Sequence, residues 1–299
     1  MYTRQDKIAE RIAHVILALA SALALLPFLL LVMASFTDNS VAVVEGYRFF
    51  PKKYSLEAYA YILQEWTTIG RAYGVTIFVT VAGTAVSLCI SSMLAYVLSR
   101  RDLPGGRILN FLVVFTMLFN GGIVSSYFLY TNVFHIKNTI FALLVPGLLM
   151  GAFNLVLMRN YFTTNIPEAL TEAARIDGAS EWTAFARVVM PLSMPILATI
   201  GLMTAIGYWN DWTNGLYYLD DRNGSHLYSI QNVLNRMNEN ISFLANNSSQ
   251  MGGVMQTGNL PTTTMRMAIA VVGILPILAA YPFFQKYFVK GIIIGSVKG

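Results

Sequence analysis

Long apolar runs alternate with short polar interruptions along the whole chain, and the length of the runs decides the first question. Residues 12–36, 73–98, 108–129, 139–158, 195–216 and 265–288 are apolar stretches long enough to cross hydrocarbon. A helix rising about 1.5 Å per residue needs roughly 20 residues for a bilayer core of about 30 Å. The pattern predicts an all-α polytopic membrane protein with six transmembrane helices, a single transmembrane domain over residues 1–299. The first run ends in small residues, Ala34 and Ser35, as a cleaved signal would. Its apolar core is too long for that and further spans come after it, so an uncleaved anchor is expected. Between the runs lie polar loops at 37–72 and 217–264 and a third polar stretch at 165–195.

The stretch 165–195 reads as two short helices at a sharp bend. Asn165, three residues before Glu168, has the form of an N-cap with its capping-box partner, and Pro167 suits the first turn. Ile166, Leu170 and Ala173 recur at helical spacing and give one narrow apolar face. Asp177-Gly178 ends the helix, because glycine takes the left-handed conformation at little steric cost. Ser180 caps a second helix with Glu181 in its first turn, and Pro191 and Pro195 are expected to close it.

Composition narrows the class. Of 299 residues, 56% are hydrophobic and 12% charged, against about 25% charged in an ordinary soluble domain. The net charge of +5 comes from basic residues scattered beside apolar runs, so it reports topology and not a nucleic-acid partner. With the N-terminus in the cytoplasm, Arg4, Lys7, Arg11, Arg100, Arg101, Arg107, Arg159, Arg175, Arg187, Lys286, Lys290 and Lys298 lie inside, twelve of the 20 Lys and Arg. This bias puts both termini and the 165–195 elbow on the cytoplasmic side. The single cysteine, Cys89, sits in an apolar run, and His14, His135 and His226 are far apart, so no disulfide or metal framework is expected. No G-x-x-x-x-G-K-[ST], H-E-x-x-H or G-x-S-x-G pattern occurs, so the chain is expected to bind no cofactor and to do no nucleotide, metal or serine chemistry.

Polar residues within the runs are the remaining candidates. Asp211 is the one carboxylate in the six, within Tyr208-Trp209-Asn210-Asp211-Trp212. Such a cluster either forms an interfacial belt and packs helices, or lines a substrate path, since aromatic rings and amides suit a sugar. Asn120, beside Gly121-Gly122, and Asn154 are further path candidates, although amides in a span also bond neighbouring helices. Pro146-Gly147 should break the fourth run, which is tolerated only where protein or water covers the backbone.

Glu172-Ala173-Ala174, then Asp177-Gly178-Ala179, Phe185 and Met190-Pro191, resemble the EAA loop of permease subunits in bacterial ABC importers. The resemblance implies that Glu168, Glu172, Ala173, Ala174, Arg175, Asp177, Gly178 and Ala179 form a coupling helix seated in a cleft of an ATP-hydrolysing subunit. An amphipathic interfacial hairpin is the simpler reading of the same residues. Phe50-Pro51 with Ser55-Leu56-Glu57-Ala58-Tyr59 is similar to a segment of the carbohydrate-uptake branch, and the ending from Lys286 to Gly299 is similar to that of maltose-type permeases. The likeness implies the shorter-subunit type, with an outer loop 217–264 that reaches an external binding protein and a tail that contacts the ATPase. Loop and tail read without it are a disordered external loop and a frayed basic tail near anionic lipid. Implied partners are a second related permease, two ATP-binding subunits, an extracytoplasmic solute-binding protein and inner-membrane lipid. The outer segments are most similar to permeases for longer oligosaccharides, including the second permease subunit of alginate or oligouronate importers. A homodimeric importer of another solute and a membrane-embedded enzyme are the alternatives.

Overall fold

The computed structural model describes residues 4–247 and 262–296. Among the described residues it is helical, with one isolated β-bridge between Thr37 and Tyr54 in place of any sheet. The chain divides into two compact units, Met1–Ile69 with Leu234–Pro276, and Gly70–Val233 with Ile277–Gly299.

The first unit begins with α1 (Arg4–Ser35), whose apolar portion Lys7–Ser35 is long enough to cross a membrane and is exposed over most of its length, up to the buried Ala34 and Ser35. Its C-terminal end is tied down by the next two helices. Helix α2 (Asn39–Glu45) is capped by Asp38, whose carboxylate accepts from the Ser40 N–H at 3.0 Å and pairs with Lys53 at 2.7 Å. The hydrogen bond from Lys53 is the main reason that the Asp38 carboxyl is held down at about 2. Helix α3 (Glu57–Gln64) then returns onto α1: Tyr59 stacks on Phe36 with ring centroids 5.0 Å apart, and its hydroxyl meets Ser35 Oγ at 2.7 Å. The segment after Pro51 thus forms a short helix that packs beside the end of α1.

Helix α4 (Trp66–Ser99) is the second element long and apolar enough to cross alone. The third run is bent instead. Helix α5 (Gly106–Leu118) and α6 (Gly122–Phe128), which runs on as a π-turn to Val133, meet at 114°. The break falls on Phe119-Asn120-Gly121, where Asn120 Oδ1 accepts from the N–H of Gly122, itself at φ +77°. The fourth run holds only α7 (Phe141–Leu144) before Pro146-Gly147 interrupts it, and α8 (Ala152–Asn165) resumes after the turn. The carbonyls freed there are not left bare: Tyr208 Oη donates to Leu144 O at 2.7 Å, and Asn214 Nδ2 to Pro146 O at 3.0 Å. That is the cover irregular backbone needs in an apolar setting.

The elbow comes next as α9 (Glu168–Ile176) and α10 (Glu181–Ala184), a π-turn Phe185–Val189, and α11 (Met190–Leu192). Two expectations are corrected here. Asn165 is not the cap of α9; it is the last residue of α8, and its amide donates to Tyr161 O at 3.4 Å. A residue before proline is driven out of the α region. Ile166 accordingly sits at φ −107°, ψ 109°, and Pro167 becomes the N-cap. Nor does Pro191 close its helix. It lies inside the helical run, preceded by a π-turn in which Met190 N–H bonds Phe185 O, since proline has no N–H for the ordinary ladder. The break comes at Ser193, where Glu181–Leu192 and α12 (Met194–Asn210) meet at 80°. The fifth run then splits at Asp211 and Trp212, and α13 (Thr213–Tyr218) continues.

The loop 217–264, expected on the outer side, carries a 3₁₀ turn, Ser225–Leu227, and α14 (Ile230–Asn247); its residues 248–261 lie outside the described residues. Helix α15 (Thr262–Ser296) is the last element, and the final part of the tail, 297–299 with Lys298, also lies outside the described residues.

Candidate functional site

The elbow is built on a compact apolar floor. Tyr96 and Leu98 of α4, Met158 and Phe162 of α8, Phe185 and Val189 of the π-turn all pack into one buried cluster. Tyr96 and Phe185 bring their ring centroids to 5.2 Å. Above this floor, α9 stands almost free. Of its nine residues only Thr171 is buried. Glu168, Glu172, Ala173 and Arg175 are exposed, as are Asp177 and Gly178 beyond its end, while Ala174 and Ala179 are half-buried. The apolar face read as Ile166, Leu170 and Ala173 is thus divided. Ile166 goes inward, whereas Leu170 is 43% and Ile176 86% exposed. The reason is again the break before Pro167, which turns α9 so that Thr171 faces the protein.

The bend after α9 has a defined geometry. Gly178 lies at φ +81°; its N–H bonds Arg175 O at 3.0 Å, and the Ala179 N–H bonds Ala174 O at 2.9 Å. These two bonds form a Schellman motif, which satisfies the last carbonyls of the helix and sets its exit angle. Ser180 then caps α10 as expected, accepting from the Thr183 N–H at 3.2 Å.

One ionic cluster at the elbow is not legible in the sequence. Glu181 takes the Arg175 guanidinium on Oε1, and on Oε2 accepts from Tyr96 Oη at 2.9 Å and from Arg100 at 3.4 Å. Arg100 is also held by Asp102 through Nε at 3.0 Å and Nη2 at 2.9 Å. The bond to Asp102 is the main reason its guanidinium is held above the ordinary arginine range. Partial desolvation would raise the Glu181 carboxyl, but the hydrogen bonds from Tyr96 and Arg175 and the nearby charges outweigh it and lower it. A cavity of about 200 Å³ lies beneath, lined by Tyr96, Arg100, Arg101, Ile166, Thr171 and Val189. Sequence reading assigned Arg100 only to topology and Glu181 only to a first turn. The Arg175–Glu181 pair is six apart across a turn, a spacing that no helical rule singles out.

The candidate path residues do not form one group. Tyr208 is 2% exposed and packs on Gly83; Trp209 is buried, its ring centroid 6.4 Å from that of Tyr73. Asp211 Oδ1 accepts from the N–H groups of Thr213 and Asn214 at 3.1 and 3.3 Å, so it serves the break between α12 and α13. Asn154 reaches Thr204 at 3.5 Å across α8 and α12. Asn120, Asn210 and Trp212 remain exposed. Among the described residues no group of His, Cys, Asp and Glu has the arrangement of a metal site.

The described residues thus form helices around an exposed short helix on a capped elbow. The profile of the family "Binding-protein-dependent transport system inner membrane component" matches residues 3–294. The chain belongs to that family and is a membrane permease component of a transport system. The "Polygalacturonan/rhamnogalacturonan transport system permease protein YtcP" of Bacillus subtilis (strain 168) is 39% identical over 295 residues, 99% of this chain and 100% of the relative. "Protein LplC" of the same organism is 38% identical over 278 residues, covering 93% and 90%. A chain from the "Crystal structure of a bacterial ABC transporter involved in the import of the acidic polysaccharide alginate" matches with a TM-score of 0.76 at 31% identity, covering 96% of this chain and 99% of that one. The family expected from the Glu172–Ala179 motif is therefore the right one.

Proposed function

We propose that this chain is one half of the translocation path of an ABC importer for acidic oligosaccharides, with α9 as the helix that receives work from an ATPase. The observation that carries this reading is a set of apolar side chains, Leu170, Ile176 and Trp182, left in the open beside Glu172 on the elbow. An isoleucine that is 86% exposed on a charged surface invites a cover. The sugar class rests on the relatives, whose names speak of polygalacturonan, rhamnogalacturonan and alginate.

In this reading the chain crosses the membrane six times with both ends inside, counting α5 with α6 and α7 with α8 as broken crossings and α15 as the last. A second permease subunit faces it, two ATP-binding subunits lie below, and a solute-binding protein delivers sugar from outside, meeting the loop that carries α14. Asn120, Asn210 and Trp212 are the side chains with room to meet a sugar; Tyr208 and Trp209 serve packing. The chain supplies no ATP chemistry. It converts closure of the ATPases into outward opening, which requires ATP to favour the outward state over the inward one.

The test is the assembled complex, purified through this chain and reconstituted with its binding protein. ATPase stimulation is measured with trigalacturonate, an alginate trisaccharide and maltotriose. The acidic sugars are expected to stimulate and maltotriose not; the reverse order overturns the substrate class, and recovery of no second permease overturns the heteromeric assembly. Charge reversal at Glu172 (Glu172→Arg) is expected to leave the chain inserted while import falls by about tenfold, as a lost coupling of roughly 1.4 kcal/mol would give. Cysteine placed at Ser180 should react with an impermeant maleimide only in inside-out vesicles. Reaction from the outside would reverse the orientation.

A further inference from the structure

We infer that Glu181 is a positioning residue that locks the coupling helix to the cytoplasmic end of α4, so that a pull on α9 moves the Trp66–Ser99 helix as well as the helix that begins at Glu181. This rests on the coupling role proposed for α9, and it concerns residues outside the motif that suggested that role.

Besides Glu181, α9 has only one further ionic contact to the end of α4 among the described residues, the open 3.9 Å pair of Glu168 with Arg101, where both side chains are more than half exposed. Only Thr171 is buried along its length, and a cavity of about 200 Å³ lies between its first turn and the end of α4. Chain connectivity leads back through Ile166 and Pro167 to α8 and forward through the Gly178–Ser180 bend to α10, and neither route reaches α4 directly. Among the described residues no apolar side chain of α9 itself is buried, whereas Glu181 bonds in three directions with one carboxylate. Arg175 comes from α9, Tyr96 from the last turns of α4, and Arg100 from the residue just past its end. Arg100 is fixed in turn by its two bonds to Asp102 and by its place over the Tyr96 ring, 5.9 Å from the centroid. Tyr96 is 9% exposed and packed on Phe185, so it cannot swing away. A half-exposed ion pair adds little to stability, but a fork of charge-assisted bonds fixes direction, which is what a lever needs.

The test uses the full chain in nanodiscs, in a Cys89→Ser background, with spin labels at Ala169→Cys on α9 and Arg107→Cys on α5. The distance distribution between them is read with and without Glu181→Gln. A narrow distribution is expected for the parent, and its width should roughly double in the variant. Tyr96→Phe should broaden it less, and Glu181→Gln with Arg100→Gln should be no worse than Glu181→Gln alone, as members of one network behave. In the complex with its ATPases and binding protein, trigalacturonate imported per ATP hydrolysed should fall about fivefold with the hydrolysis rate retained, a coupling loss of a kind typical between sites. An unchanged distribution in Glu181→Gln, or additive effects in the double variant, overturns the lock. Because the distance arm needs neither ATPase nor sugar, a broadened distribution with unchanged import per ATP would uphold the lock and overturn the coupling role of α9.

Discussion

Gly178→Pro is expected to abolish ATP-driven import while leaving the chain in the membrane. Gly178 stands at φ +81° and gives its N–H to Arg175 O at 3.0 Å. Proline holds φ near −65° and has no N–H, so it can neither adopt the conformation nor make the bond. The Schellman closure is then lost, and α9 leaves α10 at another angle. Gly178→Ala provides the graded control. A Cβ at Gly178 meets no atom within 4 Å, so its penalty is conformational only, about 1–2 kcal/mol for an L-residue in the left-handed region. Import should fall by about tenfold for alanine and to background for proline. Insertion and the amount of assembled complex, read by cysteine labelling and co-purification, should hold for both. Import at parental rate by Gly178→Pro would remove the elbow from the mechanism.

The second large effect is expected at Gly83→Val, far from the elbow. A Cβ built at Gly83 would stand 2.4, 2.6 and 2.8 Å from three ring carbons of Tyr208. The ring has nowhere to go: it is 2% exposed and anchored by its hydroxyl on Leu144 O at 2.7 Å. The valine must expel it, at about 1–3 kcal/mol for overpacking, with about 1 kcal/mol more for a buried carbonyl left without its donor. The midpoint of unfolding in detergent and SDS should drop accordingly. Tyr208→Phe keeps the packing and should lose only the hydrogen bond, about 1 kcal/mol. Combining Gly83→Val with Tyr208→Ala should be milder than the two single effects added, because both act on one contact. Full additivity would mean that α4 and α12 do not meet through this pair.

How much of this was open to sequence reading differs from element to element. Gly178, Ser180 and the Pro146-Gly147 break were legible because each depends on the residue's own backbone or on neighbours within a few positions. Asn165 was misassigned because two local rules compete there. A cap needs an extended residue, but the proline two positions on makes Ile166 the extended one, and α8 keeps Asn165. Tyr208 and Trp209 suited a sugar by composition, and only their burial tells that they are committed to helix packing.

By itself the chain determined its class. The length and spacing of apolar runs, the placement of arginines and the Glu172–Ala179 motif specify a helical membrane permease with a polar elbow, since lipid allows few ways to satisfy a backbone. Only the tertiary structure decided which carboxylate binds the elbow to α4. Glu181 and Tyr96 are 85 positions apart, and the bond between them exists because α4 and α10 close on the same apolar floor. Periodicity orders neighbours along one helix, whereas contacts between helices depend on where each chain break turns the next one, and periodicity does not carry those angles, 114° and 80° here.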